Sequence, residues 1–205
     1  MATQSSVHFY LTWAKERIDE MDATLASLES KAAKMQADAR VKATQHIADL
    51  RKKRDEFEST AKKQAEAGEA AWEKARVQLQ DNWKDFETIL KKYLESLGKD
   101  AEQQQAVFKS QVTAQMKAWR ETADKLNAAA KEFAVERRRD IDVVASRMKA
   151  ESAAADEKLQ KLARAGGESW SALNAALGES RAAFDRATQA ARETLKRAAG
   201  PAQVG

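Results

Sequence analysis

An apolar residue recurs every eleven positions along this chain, and that period narrows its possible folds more than any other feature. One series is Leu50, Ala61, Trp72, Trp83 and Leu94. A second is Phe57, Gly68, Leu79 and Leu90, and a third is Leu162, Leu173, Phe184 and Leu195. Eleven residues is close to three α-helical turns, so each series keeps to one side of a nearly straight helix. The expectation is long helices with a narrow, continuous apolar stripe. Such an architecture touches other helices or a surface.

Composition agrees with the period. Charged residues make up 33% of the chain and aromatics 6%. Pro201 is the one proline, and Gly68 is the only glycine before Gly98. The residues that usually separate the elements of a compact domain are therefore scarce. Cysteine is absent, which excludes disulfides and thiolate metal sites and fits a reducing compartment. No apolar run approaches the ~18 residues of a membrane span. The stretch Val7-His8-Phe9-Tyr10-Leu11 is short and follows no basic residue, so it makes a poor signal peptide. A cytoplasmic location is expected.

The formal charge is +4. Residues 1–98 hold 17 basic and 17 acidic side chains, and the whole surplus falls in the remainder. A surplus this small disfavours nucleic acid as a partner.

Along the chain, Ser5 or Ser6 is placed to cap a first helix. Leu11, Ala14, Ile18, Met21, Leu25, Leu28, Ala32, Met35 and Ala39 follow at alternating steps of three and four, a heptad seam. The seam continues through Phe57, Trp72, Leu79, Trp83, Phe86, Leu90 and Leu94. Gly98 reads as a helix stop, and Asp100 with Gln103 as a capping box for the next helix. The second seam includes Phe108, Val112, Met116, Trp119, Leu126, Phe133, Leu159, Trp170, Leu173, Leu177, Phe184 and Leu195. Gly166-Gly167 reads as a break or kink, Gly200-Pro201 as the end, and residues 200–205 as a disordered tail.

The predicted fold is all-α. It is a long antiparallel, coiled-coil-like hairpin, with one helix over residues 1–98 and another over 99–199. Each helix would be ~140 Å long. About Gly98, Arg54 would face Asp142 and Glu58 would face Arg138. A hairpin so long buries one stripe per helix, so self-association into a four-helix arrangement is expected. Glycines 68 and 166 offer the alternative of hinges that fold the chain into a shorter bundle. The halves also match at an offset of 98: Leu28 with Leu126, Gly68 with Gly166, Trp72 with Trp170, Phe86 with Phe184. The second half reads as a duplicate of the first, against chance agreement of two seams in phase.

No enzyme signature is found, and no cofactor or metal is expected. His8 and His46 lie far apart, and His46 reads as a tolerated interface residue. Carboxylate pairs such as Glu16/Glu20 and Asp140/Asp142 read as solvated helix faces. The tryptophans read as core, with insertion into a lipid or polymer surface as the alternative. Phe9, Tyr10 and Trp13 read as a cap on the bundle end, with a docking patch as the alternative. The basic runs Arg51–Arg54 and Arg137–Arg139 read as ion-paired faces.

The stretches His8–Asp22, Arg51–Phe57 and Gln64–Trp72 resemble a bacterial stress-response family of long helical proteins named after a cyanobacterial open reading frame. The resemblance covers mainly the first hundred or so residues. It implies a stress-linked, non-enzymatic bacterial protein and supplies no catalytic residues. More distantly, the eleven-residue period is similar to that of exchangeable apolipoproteins and of phasins, which coat storage-polymer granules. The expected function is therefore helix–helix recognition, with a homo-oligomer and an unidentified protein as partners. A coat on lipid or granule surfaces is the alternative, and weak nucleic-acid binding a second alternative.

Overall fold

A computed structural model of the chain describes residues 3–67, 69–96 and 101–200, with side chains from Thr12 onward apart from residues 69–71, 73, 96 and 136. Among these residues the chain forms six α-helices. They are α1 Thr3–Ala32, α2 Ala37–Ala67, α3 Glu69–Ser96, α4 Ala101–Ala130, α5 Val135–Ala165 and α6 Trp170–Ala199. The chain is all-α, as its periodicity predicts, and the helices pack against one another.

The expected long helices are each divided into three, so neither 1–98 nor 99–199 is one continuous helix. Two breaks, at residues 33–36 and 131–134, contain no glycine or proline. At the first, Lys34 N–H bonds the Lys31 carbonyl at 2.9 Å and Met35 N–H bonds that of Ala32 at 3.1 Å. Phe133 N–H bonds the Ala130 carbonyl at 3.2 Å in the same way. Each helix thus tightens its last turn before the chain reverses. Arg40 then donates to the Met35 carbonyl at 3.0 Å, capping α1 from the helix that follows. Local propensity favours continuing through these residues; packing overrides it.

Other boundaries lie where the sequence places them. Gly166 and Gly167 adopt φ of 65° and 78°, the left-handed region open to glycine. The Ser169 hydroxyl accepts from Ala172 N–H at 3.3 Å and caps α6, which ends before Gly200. Ser5 and Ser6 fall inside α1 rather than ahead of it. Gly68, the helix stop expected at Gly98, the capping role expected of Asp100, and residues 201–205 lie outside the described residues.

Cross-helix contacts set the directions. Arg54 reaches Asp22 at 2.7 Å, and Arg51 pairs with Glu29, so α1 and α2 are antiparallel. Lys53 meets Asp85 at 3.1 Å between α2 and α3. The Gln105 amide donates to the Ala163 carbonyl at 2.8 Å between α4 and α5. Arg137 donates to the Ala198 carbonyl at 2.8 Å and the Gly200 carbonyl at 3.0 Å, capping the C-terminus of α6. The expected Arg54–Asp142 and Glu58–Arg138 pairs are replaced: Glu58 pairs with Arg54 and Lys62, and Arg138 with Asp142 on its own helix. Breaking each long helix in three moves every cross-helix partner.

Helix α1 packs against α2, α4 and α6 and, over a shorter stretch, α3; α4 packs against α1, α5 and α6. These two helices are central and bury a broad arc of residues. Helices α2 and α5 lie outside and bury one stripe each: Ala43, Ile47, Leu50, Phe57 and Ala61 on α2, and Ile141, Ala145, Met148, Leu159 and Ala163 on α5. Adding 98 to the bounds of α1 and α2 gives those of α4 and α5. The six-helix arrangement buries faces that a two-helix hairpin would leave wet, each large apolar side chain contributing about 1.5–3 kcal/mol. The leading eleven-residue series is correspondingly not one straight face. Leu50 and Ala61 lie on α2 and Trp72, Trp83 and Leu94 on the antiparallel α3, and all five are buried.

Candidate interaction site: a buried ionic cluster

The seam residues form the core of the chain itself. Met21, Leu25, Leu28, Phe57, Trp72, Leu79, Trp83, Phe86, Leu90, Trp119, Leu126, Leu159, Trp170, Leu173, Leu177, Phe184 and Leu195 are buried, and Ile18 and Phe133 are partly buried against them. The side chains of Leu11, Phe9 and Tyr10 lie outside the described residues. Trp13 packs inward, its ring centroid 6.0 Å from that of Phe57 and 5.9 Å from that of Trp72. His46, half-buried, lies 5.5 Å from the Tyr93 ring. Among the described residues no three His, Asp or Glu side chains converge as metal ligands.

One corner of this core is charged. Glu16, Arg17 and Glu20 are 1%, 4% and 0% exposed, and Arg181 is 5% exposed. The sequence reading of Glu16/Glu20 as a solvated face is therefore corrected, whereas Asp140 and Asp142 are exposed as expected. The reason lies in α1, whose neighbours cover a second face beside its seam as well.

Spacing builds the cluster. On α1, Trp13, Glu16, Arg17 and Glu20 fall at i, i+3, i+4 and i+7, one face of a helix. On α6, Arg181 and Asp185 lie one turn apart; on α3, Trp83 and Glu87 do the same. Because α6 runs antiparallel to α1, Arg17 meets Asp185 and Glu20 meets Arg181. Arg17 Nη2 donates to both Asp185 carboxylate oxygens at 3.2 and 3.1 Å, and Nη1 donates to Glu16. Arg181 Nε donates to both Glu20 oxygens at 3.1 and 3.0 Å, and its Nη1 donates to Glu87 at 2.7 Å. The Arg181 guanidinium carbon sits 4.7 Å from the Trp83 ring centroid. That of Arg17 lies 5.3 Å from both the Trp83 and the Trp13 rings. Trp83 thus faces two cations, a contact worth about 2 kcal/mol when desolvated.

Protonation follows from burial. Burial pushes the Glu16 carboxyl well above its ordinary range; Arg17 opposes this, and neighbouring Glu20 adds to it. Glu16 Oε1 has no donor in reach. A proton on Glu16, hydrogen-bonded to Glu20, converts the repulsion of two carboxylates into an attraction. Burial alone would also raise Glu20, but Arg181 and the bond from Glu16 hold it below its usual range. Burial raises Asp185, against Arg17 and the Trp13 indole N–H. The cluster meets water at its rim, where the Glu87 and Asp185 side chains are 28% and 37% exposed.

A second polar contact ties α1 to α4. The Gln111 amide donates to the Thr24 hydroxyl at 2.9 Å, and that hydroxyl donates to the Glu20 carbonyl at 2.8 Å. The corresponding corner of the other half holds no such cluster. At the offset of 98, Glu16, Arg17 and Glu20 become Ala114, Gln115 and Ala118, and Arg181 and Asp185 correspond to Trp83 and Glu87. That difference is legible in the sequence, but only after the halves are aligned.

The basic runs are engaged within the fold. Arg54 contacts Asp22, Asp55 and Glu58, Lys53 contacts Glu56 and Asp85, and Arg137 caps α6. Among the described residues no helix is long and apolar enough to cross a membrane. The chain matches no protein-family model, no curated protein and no solved structure.

Proposed function

We propose that the chain is a non-enzymatic, cytoplasmic helical interaction protein that associates with a second copy of itself and serves in a bacterial stress response. One observation carries the interaction reading: a single apolar core is shared by two three-helix halves that only residues 97–100 join in sequence. Faces that satisfy each other within one chain can do so between chains, the low-cost route of segment exchange. The stress-linked part rests on the resemblance of His8–Asp22, Arg51–Phe57 and Gln64–Trp72 alone. Sedimentation after refolding at rising concentration tests the association. Dimers that accumulate with concentration are expected, and a strict monomer throughout overturns it.

The runner-up is a coat on lipid or polyester surfaces. It is favoured by the seam tryptophans, which an opened bundle would present together. In the closed chain Trp13, Trp72, Trp83, Trp119 and Trp170 are all buried, so binding requires opening. Tryptophan emission with and without anionic vesicles separates the readings: a shift on adding vesicles favours the coat. The ion pairs at Arg51–Arg54 weigh against nucleic acid, and steeply salt-dependent DNA binding would restore it.

A further inference from the structure

We infer that the buried cluster is a pairing key: Glu16, Arg17 and Glu20 on α1 accept Arg181 and Asp185 on α6, so a first half pairs with a second half, its own or another copy's. The exchange between copies rests on the self-association proposed above; the pairing within one chain does not.

The argument is one of mismatch. The first two helices of each half share bounds at the offset of 98, and the third helix of each follows them, so first-half to first-half pairing would offer α1 the helix α3 in place of α6. At the positions of Arg181 and Asp185, α3 carries Trp83 and Glu87. Glu20 would then lose its bidentate partner, and Arg17 alone would face carboxylates, Glu20 and Glu87, that had both lost Arg181. An uncompensated buried charge costs far more than a buried pair gains. Second-half pairing with a second half would place Arg181 and Asp185 against Ala114, Gln115 and Ala118, with no charge to meet them. Only the mixed pairing satisfies every charge, and repulsive mismatches of this kind set specificity. The pair α4 and α3, the counterpart of α1 and α6, is not among the closely packed helices. The key therefore stands at one corner of the bundle.

Leucine substitutions test both parts in the full chain. Alone, Glu20→Leu strands Arg181 on one side, and Arg181→Leu strands Glu20. Each is expected to lower the denaturation midpoint clearly, whereas Glu20→Leu/Arg181→Leu recovers at least half of the summed loss. Should a single fail to fold, Glu20→Gln, Arg181→Gln and their double form the same cycle. Losses that simply add overturn the key.

The two single variants are then unfolded together, refolded in equal amounts and sized. Reciprocal exchange matches leucine with leucine at one corner and Glu20 with Arg181 at the other. A two-chain species absent from either variant alone is expected. Recovery within one chain without that species overturns the exchange, and self-association by it, while the key stands.

Discussion

Glu16 and Glu20 sit one helical turn apart on α1, both closed off from solvent, and burial beside Glu20 favours the protonated form of Glu16. A carboxyl kept protonated by the fold opposes stability once the unfolded chain can ionise. Glu16, and Asp185 with it, therefore makes stability fall as pH rises from about 4.5 and about 3.8 respectively toward the raised folded values. Glu20 and Glu58 are held low, so their contribution is present above the unfolded value and lost as acid protonates them. Glu16→Gln keeps a donor to Glu20 and cannot ionise. Urea midpoints between about pH 5 and 8 should fall less steeply for it than for the native chain. Equal slopes would place the proton elsewhere.

Trp83 should matter beyond its volume. Its ring stacks 5.9 Å from that of Phe86 and faces both cluster arginines. Trp83→Ala should cost about 3–5 kcal/mol in equilibrium unfolding. Trp83→Phe keeps a π face and should restore more than half of that. If alanine and phenylalanine cost the same, the ring is not what holds the guanidiniums.

Two glycines should respond in opposite directions. Nothing lies within 4 Å of a Cβ added at Gly166, yet its φ of 65° is left-handed, so Gly166→Ala should cost about 1–2 kcal/mol from backbone alone. Gly178 has equal room inside α6 without that constraint, and Gly178→Ala should gain about 0.5–1 kcal/mol. Thermal midpoints of the two variants check the pair.

Salt should distinguish the surface from the core. Arg54 meets three carboxylates near the surface, and Arg54→Ala should cost up to about 1 kcal/mol, less at high salt. Leu28 is fully buried, and Leu28→Ala should cost about 2–5 kcal/mol at any ionic strength. Denaturation at low and high salt reads both. A salt-independent Arg54→Ala would mean that its aliphatic stem, not its charge, is what counts.

Much of this fold is legible in the sequence. The stripe, the break at Gly166-Gly167 and the end of α6 follow from periodicity and glycine. The reversals near Met35 and Phe133 do not, because Ala33-Lys34-Met35-Gln36 is made of helix formers and only the packed neighbours end the helix. The charged corner is hidden for a related reason. Glu16, Arg17 and Glu20 look like any wet helix face until α6 covers them. Helical periodicity identifies one buried face, and α1 is buried on several.

Helices α2 and α5 touch the core by a single stripe each. Outward positions such as Val41 and Val143 are exposed to solvent. Those positions can be recoded by design, whereas the buried positions of α1 and α4, such as Leu28 and Trp119, cannot. The outer pair is accordingly where a tag, a dye or a new recognition surface can be installed without disturbing the bundle.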